Sequence, residues 1–262
     1  MILTIDVGNT NMKMGAWDGD KLVFVAKLHT DTRLTADEYA VRFLQMMQLH
    51  QCGGALFDGA ILSCVVPPLA SVLKQAVERA IACRRVYMVS PGLKSGLNIK
   101  IDDPSVLGSD LVCAAVGALG KLEPPLIFIN METAISIFAI NGDRTLVGGS
   151  VGPGVGISME ALSLRSAQLP HISLESPGPV IGKNTADSMK AGVLYGTAAM
   201  VDGMVIRMKE ELGGEAPVQV IACGGHAKRI IPHCRETITV DENLVLDGLK
   251  RIYHKNAKAP SK

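Results

Sequence analysis

Leu3-Thr4-Ile5-Asp6-Val7-Gly8-Asn9-Thr10-Asn11-Met12-Lys13-Met14-Gly15-Ala16-Trp17 is the stretch that decides the fold. An apolar run closes on an acid, a polar turn with one glycine follows, and a second alternating run leaves the turn. The pattern predicts a strand ending at Asp6, a tight turn, and a second strand. Gly8 lets backbone approach a ligand closely, and Asn9, Thr10 and Asn11 supply donors around the turn. An acid beside a ring of amide and hydroxyl donors suits a metal-bound polyphosphate, with the metal on Asp6 and the phosphate oxygens on the donors. A plain hairpin with an Asx-rich turn would read the same way.

Working outward, Asp18-Gly19 is a hairpin turn, and Lys21 to Leu28 makes a third antiparallel strand. Thr35 and Glu38 form a capping box for a helix to about His50. Gly59 to Cys64 reads as a buried strand, Pro67-Pro68 opens a helix to about Ala82, and Val86 to Val89 is a strand. Gly108 to Leu119 starts as a loop and becomes helical. The opening pattern then returns. Leu126 to Ile129 is a strand ending in Asn130, Met131-Glu132-Thr133 is a turn, and Ala134 to Ile140 is the next strand. Asn141-Gly142-Asp143 leads into a third strand, Arg144 to Ser150. This repeat predicts two similar α/β domains, residues 1–120 and 121–262, with a ligand cleft between them and Asp6 facing Asn130 across it. Gly152-Pro153-Gly154-Val155-Gly156 precedes a helix from Ile157 to Ala167. Ala186 to Leu212 is a long helix, Val218 to Ala222 is a strand running into Gly224-Gly225, and Asn243 to Tyr253 is the last helix.

Composition narrows the function. Among 262 residues, 48% are hydrophobic and 4% aromatic, and the net charge is +1. Neither a base-stacking platform nor a basic field for nucleic acid or membrane is present. Six scattered cysteines without a C-x-x-C pair argue against zinc and disulfides and suit a cytoplasmic protein. The start lacks a basic n-region, so no signal peptide is expected, and no apolar run reaches the roughly 18 residues of a membrane span.

Three loops are candidates for one nucleotide site: Asp6 to Lys13; Asn130 to Thr133 with the glycine-rich turn after Ser150; and Gly224-Gly225, where an adenosine would pack on bare backbone. No G-x-x-x-x-G-K-[ST] loop occurs. Asp110, in Gly108-Ser109-Asp110-Leu111, is either a helix N-terminal acid favoured by the dipole or a general base for a substrate hydroxyl. Thr185 is either a helix cap or a substrate contact. The six histidines show no ligand spacing and read as surface or hydrogen-bonded residues.

With these segments together, the chain resembles the type III pantothenate kinases, of the actin and sugar-kinase-like superfold. The resemblance runs through Asp6-Val7-Gly8-Asn9-Thr10-Asn11, Thr35-Ala36-Asp37-Glu38-Tyr39, Ser63-Cys64-Val65-Val66-Pro67-Pro68 and Gly96-Leu97-Asn98-Ile99. It continues in Gly148-Gly149, Pro153-Gly154-Val155-Gly156-Ile157-Ser158, Ile181-Gly182-Lys183-Asn184-Thr185 and Ala191-Gly192-Val193-Leu194-Tyr195-Gly196. It implies duplicated actin-like (ribonuclease H-like) α/β domains with an interdomain nucleotide cleft, and ATP-dependent phosphorylation of the primary hydroxyl of pantothenate, the first step of coenzyme A synthesis. Asp6, Val7, Gly8, Asn9, Thr10, Asn11, Met12 and Lys13 match the ATP phosphate loop, and Thr133 a further ATP contact. Gly108, Ser109, Asp110 and Leu111 fall on the substrate segment, with Asp110 the proton acceptor, and Thr185 matches a pantothenate contact. The family uses Mg2+ and a monovalent cation, usually K+, with metal positions at Asp6 and Asn130. Its members are homodimers, here expected to pair through the second domain.

The departures gather at the chemistry. The family's Asp-Phe-Gly-Thr-Ala is here Asn130-Met131-Glu132-Thr133-Ala134, so the cation-binding acid is an amide and the glycine a carboxylate. The family's Gly-Ala-Asp-Arg is Gly108-Ser109-Asp110-Leu111, without the guanidinium, and a substrate-contacting Tyr is Ile101. Two functions follow: a pantothenate kinase, weak or responding little to potassium, or a catalytically degenerate paralogue that binds nucleotide or regulates a partner.

Overall fold

The computed structural model describes residues 1–83, 85–165, 178–214 and 216–257. In chain order its first elements are β1 Ile2–Val7, β2 Asn11–Asp18, β3 Lys21–His29, α1 Ala36–Leu49, β4 Gly59–Cys64, α2 Ala70–Ala80, β5 Val86–Met88, β6 Asn98–Ile99 and α3 Ser109–Leu119. They are followed by β7 Leu126–Met131, β8 Ala134–Ile140, β9 Thr145–Pro153, α4 Val155–Arg165, α5 Thr185–Leu212, β10 Gln219–Cys223, α6 Ala227–Ile230, β11 Thr239–Val240 and α7 Leu244–Asn256. The chain divides into two compact units. One is built from Met1–Leu97, Asp103–Gly120 and the chain from Asn243, the other from Asn98–Asp102 and Lys121–Glu242.

The first unit is a five-stranded sheet in the order β3-β2-β1-β4-β5. β1 pairs antiparallel with β2 and parallel with β4. As a central strand covered on both faces it is apolar nearly throughout, with Leu3, Ile5 and Val7 fully buried. The hairpin between β2 and β3 turns at Gly19, whose φ of +55° is left-handed backbone that glycine adopts without strain. α1 begins where the sequence predicts. The Thr35 hydroxyl accepts the Glu38 N–H, and the Glu38 carboxylate accepts the Thr35 N–H at 2.8 Å. Tyr39, Phe43 and Met47 of α1 join Leu69, Leu73 and Val77 from and beside α2 in the core on one face of the sheet.

α3 and α7 pack on each other and on the sheet. Their crossing is at backbone distance. A Cβ on Gly248 would lie 1.8 Å from the Cys113 carbonyl oxygen, and one on Gly117 would lie 2.2 Å from that of Leu244. Lys250 of α7 is 5% exposed. Its ammonium donates to Asp20 at 2.8 Å and stands 4.5 Å from the centre of the Trp17 ring, clasping the helix to the first hairpin. The last helix therefore belongs to the first unit, where the sequence assigned residues 121–262 to the second. An amphipathic helix reveals that it packs, but not on which sheet, and α7 finds its partner in α3, whose six central residues Cys113 to Ala118 are all buried.

The second unit repeats the first. Its sheet runs β11-β10-β7-β8-β9-β6. β7, β8 and β9 form the antiparallel meander, and β10 and β11 are added in parallel. Its core gathers Ile127, Ile129, Ile135 and Ile137 with Val193, Leu194, Val201 and Val205 of α5. Several boundaries differ from the sequence reading, most of all at β7, β9 and α4. β7 continues through Asn130 to Met131, because a strand paired on both sides keeps its ladder beyond the apolar run. β9 continues to Pro153, and α4 begins at Val155; the predicted helix end at Ala167 lies outside the described residues. The two-residue strands β6 and β11 carry too little pattern to be predicted. Among the described residues, no helix is long and apolar enough to cross a membrane.

Candidate active site

In the first unit, Asp6 sits one residue before the end of β1, opposite Lys13 on β2 and Ser63 on β4. The turn that follows is held from behind. Gly8 N–H donates to the Asn11 carbonyl at 3.0 Å. Thr30, buried at the end of β3, donates its hydroxyl to the Gly8 carbonyl at 2.8 Å and its N–H to that of Thr10 at 2.9 Å. Val7 and Met12 are buried and set the strands, while Asn9, Thr10 and Asn11 are exposed at the turn. Strand ends thus fix the backbone and leave the polar side chains outward, as a phosphate turn requires.

Asp110 is the second residue of α3, with Gly108 as the residue before the helix. Its Oδ1 lies 2.5 Å from where a Cβ on Gly108 would be, so the carboxylate folds back over bare backbone. Ser109 ties this helix start to the sheet. Its hydroxyl lies 2.9 Å from that of Ser63 and accepts the Cys64 N–H at 3.1 Å. Asp6 pairs in register with Ser63, whose hydroxyl meets that of Ser109, so the two acids are set about the same strand end. Both carboxylates act on the Cys113 thiol, which burial first, and then these two charges, hold well above its usual range. The Cys64 thiol is likewise raised, chiefly by burial and to a smaller extent by Asp6. Leu111 is half-buried beside Asp110. Ser63 escaped the sequence reading as a functional position. Its signal was the register of β4 against β1, which sequence alone does not supply.

In the second unit, Asn130 occupies on β7 the place of Asp6 on β1. It is 5% exposed, and its Oδ1 accepts the Cys223 thiol at 3.5 Å. It ends the apolar run as the sequence predicts, and Met131, expected in the turn, is the last residue of the strand. Glu132 and Thr133 form the turn and are exposed. Two other loops are fused to this turn. Gly154 N–H donates to the Thr133 carbonyl at 3.1 Å, and a Cβ there would lie 2.2 Å from that oxygen. Gly224, at φ +99°, would place a Cβ 2.5 Å from the Met131 carbonyl. The Glu132 carboxylate accepts the Gly225 N–H at 2.8 Å. His226 corrects the reading of the histidines: its buried Nδ1 has no hydrogen-bond partner among the described residues, and burial lowers its pKa against the opposing pull of Glu132. Thr185 is the first residue of α5 and exposed. The cap is Asn184, whose side chain accepts the Asp187 N–H at 2.9 Å, so the capping alternative for Thr185 falls away.

Two sheets that share the order 3-2-1-4-5, the second with β6 added beyond β9, each with a polar turn after its first strand, define an actin-like α/β protein. A solved structure of the activator of the 2-hydroxyisocaproyl-CoA dehydratase from Clostridium difficile with bound ADPNP aligns with a TM-score of 0.57 at 13% identity, covering 100% of this chain and 99% of that one, a likeness of fold. The family model of type III pantothenate kinase matches residues 2–207. A type III pantothenate kinase of Exiguobacterium sp. is 42% identical over 258 residues, covering 98% of this chain and 100% of the relative. One of Syntrophus aciditrophicus is 37% identical over 257 residues, again 98% and 100%. The chain belongs to the type III pantothenate kinase family.

Proposed function

We propose that this chain transfers the γ-phosphoryl group of ATP to the primary hydroxyl of pantothenate, giving 4'-phosphopantothenate for coenzyme A synthesis. The placing of both acids about one strand end carries this reading: Asp6 is the register partner of Ser63, and the Ser63 hydroxyl lies 2.9 Å from that of Ser109, the neighbour of Asp110. Asp6 would hold a nucleotide-bound Mg2+ as a hard oxygen ligand, and Asn9, Thr10, Asn11 and Lys13 would receive phosphate oxygens. Asp110 accepts the hydroxyl proton as the acceptor oxygen attacks phosphorus, with ADP leaving. Thr133 and the Gly224-Gly225 turn belong to the nucleotide side. Thr185, with Gly108, Ser109 and Leu111, belongs to the pantothenate side. The protein works in the cytoplasm as a homodimer. An open groove of about 830 Å3 along α5, with Val180, Tyr195 and Ile206 on its walls, is the face we assign to pairing. Light scattering at micromolar concentration is expected to give twice the chain mass; a monomer would count against that face.

The test is an ATP- and pantothenate-dependent turnover assay on the purified chain, with and without potassium. Phosphopantothenate formation supports the kinase. Nucleotide binding without it supports the second reading, a degenerate paralogue, which the replacement of the cation-binding acid by Asn130 favours. An amide supplies no negative charge to balance a monovalent cation, so potassium is expected to change the rate little. Asn130→Asp is expected to create a potassium response of severalfold. Strong activation of the unmodified protein by potassium would show that Asn130 is no handicap.

A further inference from the structure

Glu132 stands on a turn where the first unit has only a glycine, Gly8, at the corresponding place. Its carboxylate does not dangle in solvent. Oε1 accepts the Gly225 N–H at 2.8 Å, and a Cβ on Gly225 would lie 3.7 and 3.9 Å from the two carboxylate oxygens, so the group lies against the exposed outer side of the double-glycine turn.

Both ends of this strap are fixed. Gly224 is pressed on the Met131 backbone, and His226 N–H donates to the Met131 carbonyl at 3.2 Å, which holds the amide of Gly225 in place. Glu132 N–H donates to the Ala134 carbonyl at 3.0 Å, and the Glu132 and Thr133 carbonyls abut Gly154, which holds the turn. The Glu132 side chain is exposed and reaches the Gly225 N–H by rotation about its own bonds. It places a full negative charge on backbone that, in the nucleotide reading above, faces the adenosine and its phosphates.

We propose that Glu132 is an internal anion at the nucleotide seat. It occupies the Gly225 amide in the empty protein and sets the specificity of the site against uncompensated negative charge on the phosphoryl donor. The proposal rests on the nucleotide site being where the turns of β7 and β10 meet. A nucleoside, uncharged, meets no penalty. A nucleoside diphosphate or triphosphate binds well only when a cation offsets its charge or the Glu132 side chain swings away. Glu132 is a specificity residue rather than a catalytic one.

Calorimetry of the full chain with ADP and with adenosine, each with and without Mg2+, tests this. Glu132→Gln keeps an oxygen for the Gly225 N–H and removes only the charge, whereas Glu132→Gly removes both. Without Mg2+, Glu132→Gln is expected to tighten ADP roughly tenfold, the scale of one partly screened charge several ångströms away, and to leave adenosine within about twofold. Mg2+ should shrink the ADP difference, and Glu132→Gly should tighten ADP at least as much as Glu132→Gln. Unchanged ADP affinity in both variants, with ADP bound by the unmodified chain, overturns the proposal and leaves the nucleotide site standing. Adenosine tightened as much as ADP also overturns it, because the side chain would then be a steric cover. No binding of ADP by any of the three proteins overturns both.

Discussion

Asp110→Asn is expected to lower the turnover number by roughly 100-fold or more, the usual scale for loss of a positioned general base, while ATP affinity barely changes. Asparagine keeps the size and the helix start but has no basic oxygen for the hydroxyl proton. The position supports the role. Asp110 opens α3, and its carboxylate lies over Gly108, where any Cβ would collide with it. Gly108→Ala should therefore also lower turnover, by displacing a carboxylate that is still present. Steady-state kinetics with both substrates varied, together with direct ATP binding, read this out. If Asp110→Asn leaves the turnover number unaltered, Asp110 has no part in proton transfer and is only the helix-start acid that its position also allows.

The second large effect is structural. Gly248→Ala is expected to destabilise the first unit by on the order of 3 kcal/mol, at the upper end of the usual range for overpacking. Propensity alone would stabilise α7 by up to about 1 kcal/mol, since alanine is the better helix former. The new Cβ would sit 1.8 Å from the Cys113 carbonyl oxygen, and backbone cannot step aside as a flexible side chain can. The sign of the change decides between them. Thermal unfolding should show a lower midpoint, while a raised one would mean that the α3–α7 crossing is looser than described. Because α3 carries Asp110, the variant should also lose activity before it unfolds.

The doubled architecture was legible because each sheet begins with the same sentence of residues, and the run from Leu3 to Trp17 reappears in layout from Leu126 onward. Turns and caps were legible for local reasons, as at Asp18-Gly19 and at Thr35 with Glu38. The errors arise where pairing is decided far along the chain. Met131 looked like the first residue of a turn because the apolar run closes on Asn130, yet it pairs with Ile135 of β8 and stays in the strand. The orientation of Glu132 depends on Gly225, a partner 93 residues away. The last helix showed an apolar face without an address. Gly117 and Gly248 were a faint hint of one, since paired glycines on two helices permit close crossing.

The placement of that helix has a bearing on biosynthesis. A ribosome releases the strands of the first unit ahead of those of the second, but α7, at Leu244–Asn256, follows both sets. Lys121–Glu242 is contiguous by comparison and needs from elsewhere only Asn98–Asp102, already synthesised. The unit whose strands emerge ahead of the other's is therefore the one that closes after it. During translation, the buried flank of α3 that awaits α7 stays uncovered, a surface for chaperones to shield. A nascent chain halted anywhere short of Leu244 would hold Asp6 on β1 and Asp110 at the start of α3 without the helix that packs against both elements.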